Sequence, residues 1–175
     1  MTSERSWATP LSPYVLGVLR ISYGILWLQQ AMWKIPPDFG MAHGDGLFYW
    51  TKEMAKYSFL PPHKFFVEAV VLPHFLLFAW VTLLTELFIA FSHLLGVASR
   101  LGALAALAMS TNLLIGLARQ PNEWPWSYLM LVGYALVFLS THPGRVLGLD
   151  GRLSEYFSTP TRVNRPWASA LRYLM

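Results

Sequence analysis

Four stretches of the chain, each close to twenty residues long and almost free of charge, constrain its fold more than any other feature. They run from about residue 13 to 33, 74 to 95, 99 to 118 and 124 to 141. A helix rises about 1.5 Å per residue, so about 20 residues cross a hydrocarbon layer of roughly 30 Å. Of the 175 residues, 55% are hydrophobic and 13% charged, whereas a soluble domain carries about 25% charged residues. That gap excludes an ordinary water-soluble globule and predicts an all-α, integral membrane four-helix bundle. Tyr14, Trp27 and Trp33, with Lys34 just beyond, mark the ends of the first run as an interface belt does. In the third run Ala98, Gly102 and Ala106 recur every four residues and let another helix approach closely.

Residues 35–72 are more polar and rich in Pro and Gly. Within them Leu47, Trp50, Met54 and Tyr57 fall on one helical face and Lys52, Glu53 and Lys56 on another, which predicts an amphipathic helix resting on the membrane. Pro61-Pro62 opens a second short helical stretch, and Pro73 kinks or breaks it before the next run. The chain thus divides into a membrane domain, residues 1–153, and a basic tail, 154–175, in which Trp167, Leu171 and Leu174 share a face and predict another interfacial element. The first apolar run extends too far for a signal-peptide core, so no cleavage is expected. Basic residues near the run ends place Arg5, Arg100, Arg145, Arg152, Arg162, Arg165 and Arg172 on one side, and Lys34, Lys52, Lys56, Lys64 and Arg119 on the other. This bias predicts a multi-pass protein of the cytoplasmic membrane with both termini in the cytoplasm.

The net charge of +4 does not point to nucleic acid, because the Lys and Arg are scattered among apolar runs and form no basic face. Membrane lipid is the expected surface. The absence of cysteine excludes disulfides, thiolate metal sites and iron–sulfur clusters. No His pair has ligand spacing on one helix face, so no metal site is predicted. The glycine-containing segments at Gly44–Gly46 and Leu147–Gly151 are turn signals without the spacing of a phosphate-binding loop.

Two charges lie well inside the apolar runs, Arg20 and Glu86. Left unpaired at bilayer depth, each would cost at least about 2.5 kcal/mol. Arg20 is about seven residues from the start of its run and Glu86 about nine from the end of its own, so in an up-and-down arrangement their depths match. A salt bridge between them is predicted. Such a pair either fixes the register of two helices or also lets Glu86 handle protons or bind a ligand. Gln29, Gln30, Thr82, Thr85, Ser110, Thr111 and Asn112 occur at neighbouring depths. They serve either as interhelical hydrogen bonds or as donors to the carbonyl oxygens of a quinone stacked on Trp27, Phe78 and Trp80.

The segments VLRISYGILWLQQAMWK (Val18 to Lys34), TELFIAFSHLLGVASRLGAL (Thr85 to Leu104) and PGRVLGLDGRL (Pro143 to Leu153) resemble the DoxX family of four-helix membrane proteins. The resemblance covers roughly residues 13–153, and the long outer loop and aromatic content are most similar to its DoxD-like subunits of thiosulfate:quinone oxidoreductase. It implies a membrane subunit of a quinone-linked oxidoreductase that passes electrons from a reduced sulfur compound to membrane quinone together with a second protein subunit. It also singles out Arg20, Lys34, Glu86 and Arg100 as matches to charged positions of the family. With no cysteine, this polypeptide cannot hold a sulfur substrate covalently.

The candidate site is therefore Glu86 and Arg20 as a buried proton-handling pair, with Gln30, Asn112, Trp80, Lys34 and Arg100 around the quinone. The alternative is a non-catalytic scaffold or accessory subunit of a larger respiratory or photosynthetic membrane complex. The two part at the polar cluster. A quinone site needs Gln30, Asn112 and Glu86 to face one cavity, whereas a scaffold has them satisfied within tight helix contacts.

Overall fold

The computed structural model describes residues 13–157, which are all-helical and contain no strand. The first twelve residues and the basic tail from residue 158 onward lie outside the described residues, and with them the face formed by Trp167, Leu171 and Leu174. Seven α-helices follow in order: α1 (Pro13–Met32), α2 (Gly46–Tyr57), α3 (Pro61–Phe66), α4 (Phe75–Leu95), α5 (Ser99–Leu117), α6 (Pro125–Ser140) and α7 (Asp150–Phe157). A π-helical turn, Val67–Val71, leads from α3 toward α4, and a 3-10 turn, Pro143–Arg145, follows α6.

Local chemistry sets most of these boundaries. Pro61 and Pro125 open α3 and α6, where a missing N–H costs nothing. Gly96, left-handed at φ 64°, ends α4 as a helix C-terminal glycine does. The amphipathic segment forms α2, whose Thr51 and Ala55 are buried. The stretch after Pro61 forms α3 and the π-helical turn, and it breaks at Leu72 to His74 before α4 begins.

Helix α1 packs on α4, α4 on α5, and α5 on α6, while α2 and α3 lie across one end against α5. The main core is formed by Tyr23, Trp27, Ile89, Ala90, Ala103, Ala106, Ala135 and Phe138. Small residues set the helix spacing. Gly24 of α1 lies against the Ala90 carbonyl and Leu94, and Gly102 of α5 lies against Ser92, so that a side chain at either position would collide. A second cluster, Ala31, Phe39, Phe75, Ala79 and Leu83, ties the segment after α1 to the beginning of α4.

By length and composition, α4 and α5 are apolar enough to cross a membrane, and α6 is apolar over 16 residues. Only 39% and 33% of the most apolar windows of α4 and α5 are buried, which leaves apolar side chains of both helices accessible on the outside. Leu77 and Leu84 of α4, Leu104 of α5, and Leu129 and Leu136 of α6 are all exposed.

Candidate functional site

Arg20 and Glu86 are both buried, but the predicted salt bridge between them does not form. Arg20 donates to the carbonyls of His93, Leu94, Pro143 and Leu147. It thereby satisfies the last carbonyls of α4 and pins the segment after α6 onto them. Asp150 completes this lock. Its carboxylate accepts from the backbone N–H groups of Ala98 and Ser99 at 2.7 and 3.0 Å and from the Ser99 hydroxyl at 2.6 Å. A carboxylate at a helix N-terminus satisfies orphan donors and complements the helix dipole. Partial desolvation, then the charges of Arg145 and Arg100, hold the nearby His142 imidazole below the ordinary histidine range, against the opposite pull of Asp150. The glycine-containing segment at Leu147–Gly151 is thus a structural clasp, with Arg20 as its cationic pin.

Glu86 instead pairs with Lys34, the Nζ lying 2.6 Å from Oε2, with both side chains 3% exposed. The register of α1 on α4 explains the exchange of partners. Gly17 lies against the Val146 carbonyl and Leu147, so the first turns of α1 extend past the end of α4. Arg20 is therefore level with His93, roughly 10 Å along α4 from Glu86 at 1.5 Å per residue. Side chains lean toward the N-terminus of their helix, and Lys34, just past the end of α1, reaches back to the acid. Its ammonium also donates to the Gln30 carbonyl at 2.6 Å and lies 4.2 Å from the centre of the Trp33 ring.

The ion pair forms part of the wall of a cavity of about 650 Å³ enclosed by α1, α2, α4, α5, α6 and the turn after α3. Gln30, Lys34, Glu86 and Asn112 all line it, as do Trp27, Phe78 and Thr82. Trp80 does not: it is exposed on another face of α4, edge-on to Phe39 at 5.3 Å. Arg100 does not either. It is in the first turn of α5 and donates to the Leu139 carbonyl, at the Arg20 end of the molecule. Arg20 likewise lies outside the cavity, so the buried ion pair in its wall is Glu86 with Lys34, not Glu86 with Arg20.

Several lining residues are not marked by the sequence as part of this site. Glu123 holds the Tyr128 hydroxyl at 2.7 Å, and Trp50, Met54, Trp126 and Tyr134 supply aromatic and thioether surface. The helical spacing of Trp50 and Met54 marked their face but not what it covers. The Trp27 indole N–H is buried and without a hydrogen-bond partner. Lys34, with three N–H donors, has one beyond those used on Gln30 and Glu86. The cavity therefore offers cationic and neutral donors beside a carboxylate, within an aromatic wall. Exposed Leu26 on α1 and Trp33 just after it, and Trp126 and Met130 on α6, border it where α1 and α6 are less closely packed. Among the described residues, no three His, Asp or Glu side chains gather as a metal site.

Compared with known proteins, the chain matches no protein-family model, no curated protein and no solved structure.

Proposed function

We propose that this chain is a multi-pass protein of the cytoplasmic membrane, with α1, α4, α5 and α6 as its four spans and the Lys34 end outside. Within those helices the only Asp, Glu, Lys or Arg residues are Arg20, Glu86 and Arg100. Each is engaged by the protein: Arg20 with carbonyls, Glu86 with Lys34 and Arg100 with Leu139. An apolar exterior over buried, partnered charges suits hydrocarbon, and it would be a large liability in water. The basic residues of the Arg20 end then face the cytoplasm.

The cavity is the binding site for the head group of a membrane quinone, in a quinone-linked oxidoreductase of the DoxX kind that draws electrons from a reduced sulfur compound through a partner subunit. The observation that carries this reading is the convergence of Lys34, Glu86, Gln30 and Asn112 on one aromatic-lined cavity of about 650 Å³. Its volume falls in the range of small-molecule sites, about 300–1,000 Å³. Reduction of a quinone consumes two electrons and two protons. The electrons come from the sulfur compound oxidised by the partner. Lys34 holds a carbonyl oxygen through its remaining N–H, and Glu86, 2.6 Å from the same ammonium, is placed to pass protons toward it. Trp27 and Phe78 offer ring faces for stacking.

The scaffold reading draws on two satisfied amides: Gln30 accepts from the Trp33 indole at 3.1 Å, and Asn112 meets His63 at 3.0 Å. Purification in mild detergent separates the two readings. Quinone retained with the chain and a co-purifying substrate-oxidising subunit are expected. Recovery inside a large respiratory or photosynthetic assembly without bound quinone would overturn the quinone site in favour of a scaffold.

A further inference from the structure

One side chain facing the cavity is held from behind. Asn112 sits on α5 with its Oδ1 at 3.0 Å from His63 Nε2, and His63 Nδ1 lies 2.9 Å from the Ser58 hydroxyl. Ser58 caps the C-terminus of α2 and His63 belongs to α3, so this chain joins the two helices that cross the cavity end to the α5 wall. The amide oxygen is committed to His63. The amide nitrogen has only the Met54 sulfur, at 3.9 Å, itself a cavity-lining atom and a weak acceptor.

Resting on the quinone-site reading, we propose that Ser58 and His63 are positioning residues that fix Asn112 as a hydrogen-bond donor toward the cavity, selecting ligands that present an acceptor there, such as a quinone carbonyl. The carbonyl oxygen of Asn112 can only accept, so His63 must carry its proton on Nε2. In neutral His63, Nδ1 is then an acceptor and the Ser58 hydroxyl donates to it. In protonated His63, Nδ1–H donates to Ser58, whose hydroxyl turns to the Leu60 carbonyl, 3.4 Å away. Ser58 thus serves both charge states, and the orientation of Asn112 is the same in each. The ionisable groups on the elements packed against α3 are Tyr49, Lys52, Glu53, Lys56 and Tyr57 on α2 and Glu68 on the π-helical turn, with Lys64 on α3 itself. Lys64 pairs with Glu68, and α5 brings the uncharged Asn112 at this level. None of these ionisable groups is hydrogen-bonded to His63.

The test uses the full chain in lipid nanodiscs, labelled with ¹⁵N-histidine, with a decyl-tailed benzoquinone as probe read by tryptophan quenching. His63 is assigned through the signal lost in His63→Gln. The wild type should show the Nε2–H tautomer when neutral and bind the probe equally in both charge states of His63, as the ¹⁵N signals report them. In Ser58→Ala, neutral His63 loses its tautomer lock, so the Asn112 amide can turn over. Binding should weaken about tenfold while the ¹⁵N signals show His63 neutral, and recover where they show both ring nitrogens protonated and so again donating. That recovery is what a merely structural defect would not give. A wild-type Nδ1–H tautomer overturns the proposal, as does Ser58→Ala binding that is the same with His63 neutral and with His63 protonated. Failure of the wild type to bind the probe at all overturns the quinone reading instead, while the tautomer still judges the hydrogen-bond chain from Ser58 through His63 to Asn112.

Discussion

Replacing Lys34 by Met isolates the energetics of the buried pair. The substitution keeps the length of the side chain and leaves the Glu86 carboxylate, 3% exposed, without its cation at 2.6 Å. Removing one partner of a buried ion pair costs about 3–5 kcal/mol, because the other charge stays desolvated and unmatched. For a chain of this length, about 2–4 °C of melting temperature corresponds to each kcal/mol, so a fall of roughly 6–20 °C is expected. Glu86→Leu should lose a similar amount by stranding the ammonium. The double variant, Lys34→Met with Glu86→Leu, has no charge left to strand, and apolar replacement of a buried pair is often neutral or stabilising. It should melt well above either single variant. Thermal melting of the four proteins in one detergent, followed by tryptophan fluorescence, gives the comparison. Losses that simply add in the double variant would refute the pairing and the depth assigned to it.

Other consequences follow from the packing. Arg20→Leu abandons carbonyls of His93, Leu94, Pro143 and Leu147; at about 1–3 kcal/mol for each buried group left unsatisfied it should be the most damaging single change, and melting together with quinone binding by the folded fraction would show a stability defect with unchanged affinity. Gly102→Leu should destabilise by driving a side chain into Ser92, whereas Gly133→Ala, which meets nothing within 4 Å, should raise the melting point through a helix-propensity gain of up to about 1 kcal/mol. Because the chain lacks cysteine, single-cysteine variants report sidedness directly: Lys56→Cys should react with a membrane-impermeant maleimide in intact cells and Arg145→Cys only after lysis, and the reverse pattern would invert the topology.

Much of the architecture is readable from hydropathy, because twenty-residue apolar runs bounded by Pro and Gly leave little freedom. The runs at about 13–33, 74–95, 99–118 and 124–141 became Pro13–Met32, Phe75–Leu95, Ser99–Leu117 and Pro125–Ser140. The partner of Glu86 was not readable. Depth counted from helix ends assumes that neighbouring helices start level, yet the seating of Gly17 on Val146 and of Gly24 on Ala90 slides α1 past the end of α4. Two other errors were avoidable. Trp80 is two residues from Thr82 and so about 200° around a helix from it, and Arg100 is about 18 Å along α5 from Asn112. Neither could share a site with Asn112 and Glu86. The clasp of Ser58, His63 and Asn112 joins three elements, and no sequence period announces such a meeting.

The central claim, that a quinone head group lies against Lys34 and Asn112, is tested most directly by photo-crosslinking. A decyl-tailed quinone carrying a photoreactive group on its ring would be activated on the purified chain in nanodiscs and the adducts mapped by peptide mass spectrometry. Adducts should fall on the cavity segments around Trp27–Lys34, Phe78–Glu86 and Met109–Leu113, and excess unlabelled quinone should abolish them. Labelling spread over the outward faces at Leu77, Leu104 and Leu136, unaffected by competitor, would contradict the account.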